Sequence, residues 1–497
     1  MTARTTQHSK TAVVGGGLAG LAAGCALADA GFQVTLFERR PYLGGRASSY
    51  EHPGTGEIVD NCQHVLLGCC TNLVEFYKRL GVESKIRWYD RLTFVEPGGR
   101  ASIIEPSVLP APFHTARSFL QADCLSLRDK ITISAAMAAL APATPPDQGE
   151  SFLTWLRRHR QTERAIERFW KTILVSALNE DLDRVAVPHA AQVIRESFLK
   201  SAEAGRMGVP TVPLTELYSA AGDYIQTRGG EVCLRSGVEC FRTDPVGARL
   251  YVAGKEVSFD FVVFAVPFDV LLRMLPQVNE AEPLRKKLHE FETSPITGIH
   301  LWFDREISDL DHAVLLDRTI QWMFHKSRLL ARSSADSWRD AGATVGQGHD
   351  FSRAASGPAR GGALAPEGSY VELVVSSSKT LVEKSKSEIT ELALKELCEF
   401  FPAARDAKLL KSTVIKEVNA TFSPRPGIDA YRPKCETAWS RVFLAGDWTA
   451  TGWPATMEGA VRSGYMAAEA VARASSANGV KFLVPDLPAS GLMRWFR

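Results

Sequence analysis

Three things are scarce in this 497-residue chain: an excess of charge, paired cysteines and long apolar runs. Lysine plus arginine number 58 and aspartate plus glutamate 56, a formal net charge of +2. That balance leaves no electrostatic footprint for nucleic acid, and none is expected as a partner. The nine cysteines stand at 25, 62, 69, 70, 124, 233, 240, 398 and 435. None is spaced C-x-x-C and the count is odd, which argues against a zinc ribbon or a disulfide framework. No metal is expected, and reduced thiols point to a cytoplasmic protein. No apolar run reaches the roughly 20 residues that span a bilayer; "ITISAAMAALAPATPP" stops at Pro142. No internal repeat is present.

What the chain does have begins at its N-terminal end. The stretch "TAVVGGGLAGLAAGCALADAGFQVTLFE" reads as strand, turn, helix and strand. A basic start and an apolar run give it the look of a secretory leader, but the glycine spacing assigns it otherwise. Gly15, Gly17 and Gly20 form G-x-G-x-x-G. The first allows a tight turn, the second lets backbone approach a pyrophosphate, and the third lets helix pack on strand. The helix N-terminus offers free N–H groups and a positive dipole end. Glu38 closes the second strand, placed to accept from a ribose hydroxyl. Gly44, Gly45 and Arg46 follow in "ERRPYLGGRASSY", adding close backbone approach and a cation for a diphosphate.

This extended pattern resembles the two-dinucleotide-binding flavoproteins, the group of the amine oxidases and carotenoid desaturases. The resemblance implies FAD as cofactor and an α/β fold, with a Rossmann-type FAD-binding domain and a discontinuous α+β substrate domain. The far end of the chain agrees. "RVFLAGDWTATGWPATMEGAVRSGYMAAEAV" reads as strand, turn and a helix from about Thr456. The resemblance places Gly446 and Asp447 at the ribityl–diphosphate region. It sets Met457 at a helix start aimed at the flavin's pyrimidine edge, where positive potential stabilises the reduced ring. "DFVVFAVP" is a central strand ending in proline. "GGEVCLRSGVECF" looks like a strand pair passing the adenine, with the backbone of Val238 in contact.

The FAD domain is therefore expected from residues 1–95, 215–290 and 412–475, and the substrate domain from 96–214 and 291–411. Residues 115–205 read as mainly helical, with a capping box at Ser126 and Asp129; Trp155, Phe169 and Trp170 read as core. "ITGIHLWFD" and "SYVELVVSSS" alternate like strands. Residues 331–368 are rich in Gly, Ala, Ser and Arg and read as a mobile insertion, for which a lid and plain disorder both fit. The tail, 476–497, ends in "GLMRWFR", a basic–aromatic segment that suits either a bilayer interface or docking on the protein's own surface.

Four strings narrow the resemblance: "DNCQHVLLGCC", "GVPTVPLTELY", "QWMFHKSRL" and "LAGDWTATGWPATMEGAVRSGY". Together they resemble the hydroxysqualene dehydroxylases, FAD-dependent enzymes of squalene and hopanoid biosynthesis. Cys62 stands where these relatives usually carry Gly. The resemblance implies hydroxysqualene as substrate and squalene as product. Protonation of an allylic hydroxyl would release water, and hydride from reduced flavin would capture the cation. His64 is the leading acid on this reading, with Asp60 orienting it or donating instead and Gln63 beside them; His64 serving only to hold the flavin is equally compatible with the string. Aromatic walls for a cation are expected at Trp322, Phe324, Trp448 and Trp453. The electron donor is not readable, since no second strand–helix G-x-G-x-x-G exists for a nicotinamide. A lipid substrate implies peripheral contact with the inner face of the cytoplasmic membrane. The alternatives are a phytoene-type carotenoid desaturase, in which hydride moves the other way, and a non-catalytic prenyl-chain carrier on the same fold.

Overall fold

Short apolar runs such as "AVV" and "FVVF" cannot be half-exposed, because they offer no polar alternation; they suit strands covered on both faces. A computed structural model describes residues 9–243, 247–330, 368–476 and 479–495. In it these runs form a five-stranded parallel sheet in the order Glu231–Cys233, Gln33–Phe37, Lys10–Val14, Phe261–Phe264, Val442–Leu444. Val13 pairs with both Leu36 and Val263, and Val263 with Phe443. One sheet thus gathers strands from three distant stretches. The helix Leu18–Asp29 packs against the helix Met457–Ala474, and Gly464 makes the crossing close: a Cβ there would meet the Ala19 carbonyl oxygen at 2.3 Å. Gly31, at φ +82°, ends the first helix in the left-handed turn that glycine favours.

A second, seven-stranded sheet runs Leu409–Phe422, Thr293–Phe303, Ser369–Ser376, Trp322–His325, His312–Leu315, Leu92–Val95, Ala101–Ile104. Ile299 pairs with Leu373 on one side and Val414 on the other. The helix Lys386–Phe400 covers one face with Ile389, Ala393, Leu397 and Phe400. Residues 116–199 are mainly helical around Phe152, Trp155, Trp170 and Leu174, with Phe169 partly buried against them. The capping box forms as expected, Asp129 N–H donating to Ser126 Oγ and Ser126 N–H to Asp129.

The structure moves some expected boundaries. The boundary at 95 falls at the end of Leu92–Val95, whose hairpin partner Ala101–Ile104 keeps it in the seven-stranded sheet. The boundary at 412 falls inside the strand Leu409–Phe422, and cross-strand pairing with Thr293–Phe303 holds that whole strand in the same sheet. The chain returns to the parallel sheet only at Val442. The expected strand pair in "GGEVCLRSGVECF" does not form. Glu231–Cys233 extends the parallel sheet, while Val238–Thr243 joins an antiparallel three-stranded sheet with Ala248–Val252 and Lys255–Phe259. Of the expected insertion, residues 331–367 lie outside the described residues. The tail folds back: Leu492 N–H donates to the Ala111 carbonyl and Met493 is buried, while Leu492 and Trp495 stay exposed.

Candidate active site

The glycine turn is built by exclusion. Gly15 sits at φ +111°, and a Cβ there would lie 2.6 Å from the Ala265 carbonyl oxygen. At Gly20 the Cβ would lie 1.9 Å from the Gly15 carbonyl oxygen. Gly17 differs: the nearest atom to its Cβ position is Gly45 Cα at 3.9 Å, so the space beside it is open. It caps the helix Leu18–Asp29 without a side-chain hydrogen bond, leaving the first N–H groups for an anion. Both Glu38 oxygens are engaged, one by Gly16 N–H and one by Arg40 N–H, each at 2.7 Å. The carboxylate is thereby fixed at the mouth of the turn.

From this cradle a cavity of about 480 Å³ runs through the molecule. Gly15, Gly17, Glu38, Gly45, Arg46, Val238, Gly446, Asp447 and Met457 all line it, as do Gln63 and His64. Gly20 and Asp60 do not: Gly20 packs under the turn, and Asp60 lies beneath the floor. Arg46 is engaged within the protein, donating to Asp447 at 2.8 Å and to the Ala420 carbonyl at 2.6 Å. Gly446 at φ +146° donates its N–H to Ser463 Oγ at 2.7 Å. Thr456 caps the helix Met457–Ala474 through Gly459 N–H, so that helix starts at the cavity wall. Glycine cradle, fixed carboxylate and two helix starts on one cavity fit a dinucleotide, which Gly15, Gly17, Glu38 and the helix start at Met457 would hold.

Beyond the cradle the cavity is apolar. The stretch Cys62–Leu67 is its floor. Trp322 and Phe324 stack at 5.6 Å with planes 8° apart, and Trp322 Nε1 donates to Ser176 Oγ at 2.7 Å. Trp448 and Trp453 also line it, so all four expected aromatics face the same space. Ile173, Ala177, Val193 and Phe198 close the far side.

His64 Nδ1 lies 2.7 Å from the Cys62 carbonyl oxygen. A carbonyl only accepts, so Nδ1 carries the proton and Nε2 of the neutral ring presents a lone pair. Burial holds the imidazole below its ordinary value, more than the Cys62 contact raises it. Burial alone would raise Asp60. The Lys326 ammonium at 2.6 Å, with bonds from Ser49 and Leu214, outweighs it and keeps the carboxylate ionised below its usual range. Lys326 also donates to Gln63 Oε1 at 2.8 Å. Glu372, 3.6 Å from the same ammonium, is fully buried, and burial pushes it up to about 8. Burial likewise raises the Cys62 thiol well above its usual value, which leaves it un-nucleophilic. Among the described residues no group of three or more His, Cys, Asp or Glu is placed to hold a metal.

Lys326 and Glu372 were not singled out from sequence. The signal existed: "VELVV" sets one carboxylate in an apolar run with no alternation to carry it outward, and "MFHKS" does the same for an ammonium. Buried ionisable groups in such runs must find partners.

A dinucleotide cradle at a parallel sheet, opening into an apolar chamber, fits a flavoprotein oxidoreductase. Residues 18–472 match the family described as flavin containing amine oxidoreductase, and the chain belongs to it. Flavin, as FAD, is its cofactor. Curated relatives include a 15-cis-phytoene desaturase of Synechococcus elongatus, 27% identical over 487 residues, covering 93% of this chain and 95% of the relative. A zeta-carotene desaturase of Synechocystis is 26% identical over 487 residues, covering 93% and 97%. Among solved structures, an oxidoreductase from Methanosarcina mazei has TM-score 0.67 at 17% identity, covering 92% of this chain and 98% of that one. Cyclohexylamine oxidase from Brevibacterium oxydans has TM-score 0.65 at 15% identity, covering 94% and 100%. The expected α/β flavoprotein fold is the fold found. Among the described residues no helix is long and apolar enough to cross a membrane.

Proposed function

We propose that this flavoprotein moves a hydride at an allylic carbon of a long isoprenoid hydrocarbon, and that the reaction is reductive dehydroxylation of hydroxysqualene to squalene. One observation carries the proposal. Three of the four strings resembling the hydroxysqualene dehydroxylases supply walls of one cavity: Cys62–Leu67, Trp322 with Phe324, and Gly446–Trp448 with Trp453–Glu458. A substrate-specific string is expected where substrate lies.

The bound flavin supplies hydride transfer. The chain's own residues supply the rest. The apolar walls hold a hydrocarbon and exclude the water that would recapture a cation. Trp322 and Phe324 offer ring faces to positive charge. Overall, an alcohol, a proton and a hydride give a hydrocarbon and water. The proton is delivered to the hydroxyl oxygen by His64 Nε2 in its charged form. Burial makes that form a strong acid but a sparse one at neutral pH. Asp60 orients the floor through Lys326 and Gln63 rather than donating itself.

A second reading has broader support from known relatives: desaturation of a carotenoid precursor, with hydride passing to oxidised flavin. The neutral His64 lone pair favours it, since Nε2 then accepts the proton that leaves the neighbouring carbon. Incubating the purified flavoprotein anaerobically with dithionite and hydroxysqualene is expected to give squalene by mass spectrometry. If no squalene forms but phytoene with a quinone acceptor gains conjugated double bonds, the second reading replaces the first. Inertness to both substrates overturns the isoprenoid assignment.

A further inference from the structure

Exposed large apolar side chains are not scattered evenly. Among the described residues there are sixteen; seven lie between 103 and 131 and two more at 492 and 495. Hydrogen bonds draw these segments together. Phe113 N–H donates to the Pro110 carbonyl, and Leu492 N–H to the Ala111 carbonyl, both at 2.9 Å. Lys130 turns its ammonium inward to the Leu120 carbonyl at 2.7 Å. This leaves Leu127 and Ile131, one helical turn apart and 69% and 60% exposed, on the outer face of the helix Leu127–Leu140. Val108, Phe113, Leu120 and Trp495 are exposed in the segments that these contacts join, Trp495 being 84% exposed.

The charge around this face has one dominant sign. Arg117, Arg128 and Arg494 are exposed among it. The exposed acids are Asp123 and Glu105, and Glu105 is paired with Arg91 at 3.1 Å. Asp129 is buried in its capping box. The face also lies directly outside the cavity. The helix Leu127–Leu140 packs on Val187–Ile194, whose Gln192 and Val193 line the cavity. Ser490 N–H donates to the Lys200 carbonyl, at the end of the turn whose Glu196 and Phe198 line it too.

We propose that residues 108–131 together with 492–495 form a docking surface for an anionic phospholipid bilayer, seated over the helical end of the cavity. Aliphatic and aromatic side chains enter the acyl boundary while the arginines stay at the headgroups. Attraction to anionic lipid adds to apolar burial and is screened by salt. The inference deepens the isoprenoid reading by naming where a bilayer-borne substrate would be taken up. Its test needs no turnover, so the two fail separately.

The full-length flavoprotein is mixed with vesicles of phosphatidylcholine alone or with three-tenths phosphatidylglycerol, and separated by flotation. Wild type is expected to float with the anionic vesicles and to lose binding as salt rises. The pairs Leu127→Glu with Ile131→Glu, and Leu492→Glu with Trp495→Glu, should each cut partitioning at least tenfold while keeping bound flavin. Should either pair misfold, brominated lipid gives an independent reading: it should quench wild-type tryptophan emission, and Trp495→Phe should lose most of that quenching. The proposal is overturned if wild type stays with the lipid-free fraction, if well-folded pairs float as wild type does, or if Trp495→Phe is quenched unchanged. It is also overturned if the face closes a dimer that the glutamates convert to monomers without lipid binding.

Discussion

Lys326 sets its ammonium 2.6 Å from the carboxylate of Asp60, with both side chains only 4% exposed. The pair joins distant parts of the chain: Asp60 ends the strand Ile58–Asp60 and accepts from Leu214 N–H, while Lys326 follows the strand Trp322–His325 and holds Gln63 in the cavity floor. It ties the floor to both the helix Leu214–Gln226 and the seven-stranded sheet.

Removing one member strands the other's charge in the interior. Lys326→Met should therefore cost about 3–5 kcal/mol, well beyond the value of the contact itself. The double variant Lys326→Met with Asp60→Asn should recover part of that loss, because no buried charge is left unpaired. Urea unfolding of the two single variants and the double variant measures the coupling. Strictly additive losses would show that the pair does not act as a unit.

Glu372 gives a pH dependence of the opposite sign to an ordinary carboxylate. Burial, more than Lys326 can offset, raises it from 4.5 to about 8. A carboxyl with a raised native value binds its proton more tightly folded than unfolded. Its contribution is present at low pH, declines from about 4.5, where the unfolded chain ionises, and is gone above about 8. Glu372→Gln removes this dependence. The stability of the variant relative to wild type should rise between pH 5 and pH 8, read from unfolding midpoints across that range. A difference that stays flat, or falls, contradicts the neutral buried carboxyl.

How far the chain could be read beforehand follows from how local each feature is. The glycine turn and Glu38 are set by neighbours in sequence, so spacing exposed them, and the helix start at Met457 came through the resemblance; Gly15, Gly17, Glu38 and Met457 line the cavity. The aromatic walls were reached through motif position and also lie there. The floor was less legible. Asp60 stands two residues before the cavity-lining stretch, yet strand geometry turns it away towards Lys326, 266 residues further on. The same limit applied to "GGEVCLRSGVECF", where two adjacent strands joined different sheets because their partners lie elsewhere in the chain. The exposed face of 108–131 was missed because its helix carries apolar residues on both sides, and only burial separates Ile133 from Ile131.

The cradle's glycines should separate folding from cofactor binding. A methyl at Gly17 meets no atom closer than 3.9 Å and enters the open cavity. Gly17→Ala should change stability by no more than about 1 kcal/mol, the scale of an altered cap, yet lose flavin on gel filtration. A methyl at Gly20 would sit 1.9 Å from the Gly15 carbonyl oxygen. Gly20→Ala should cost about 1–3 kcal/mol or more through overpacking. Retention of flavin absorbance by Gly17→Ala would place the dinucleotide elsewhere.

Under the proposed function, His64 would set the direction of proton movement. Its Nδ1 proton is committed to the Cys62 carbonyl, so only Nε2 can serve substrate, as acid when charged and as base when neutral. His64→Ala should keep flavin bound, since the cradle is untouched, and lose turnover by about 10²–10⁴-fold, the usual worth of a positioned acid–base group. The wild-type pH profile then discriminates. Burial sets the ring below its ordinary value of 6.5, so the inflection falls on the acid side of that value. Dehydroxylation requires the charged ring, and its kcat should fall as pH rises through the inflection. Desaturation requires the neutral ring, and its kcat should rise instead. Full activity in His64→Ala, or a profile that keeps the same inflection without His64, would assign the proton to another group on the cavity wall.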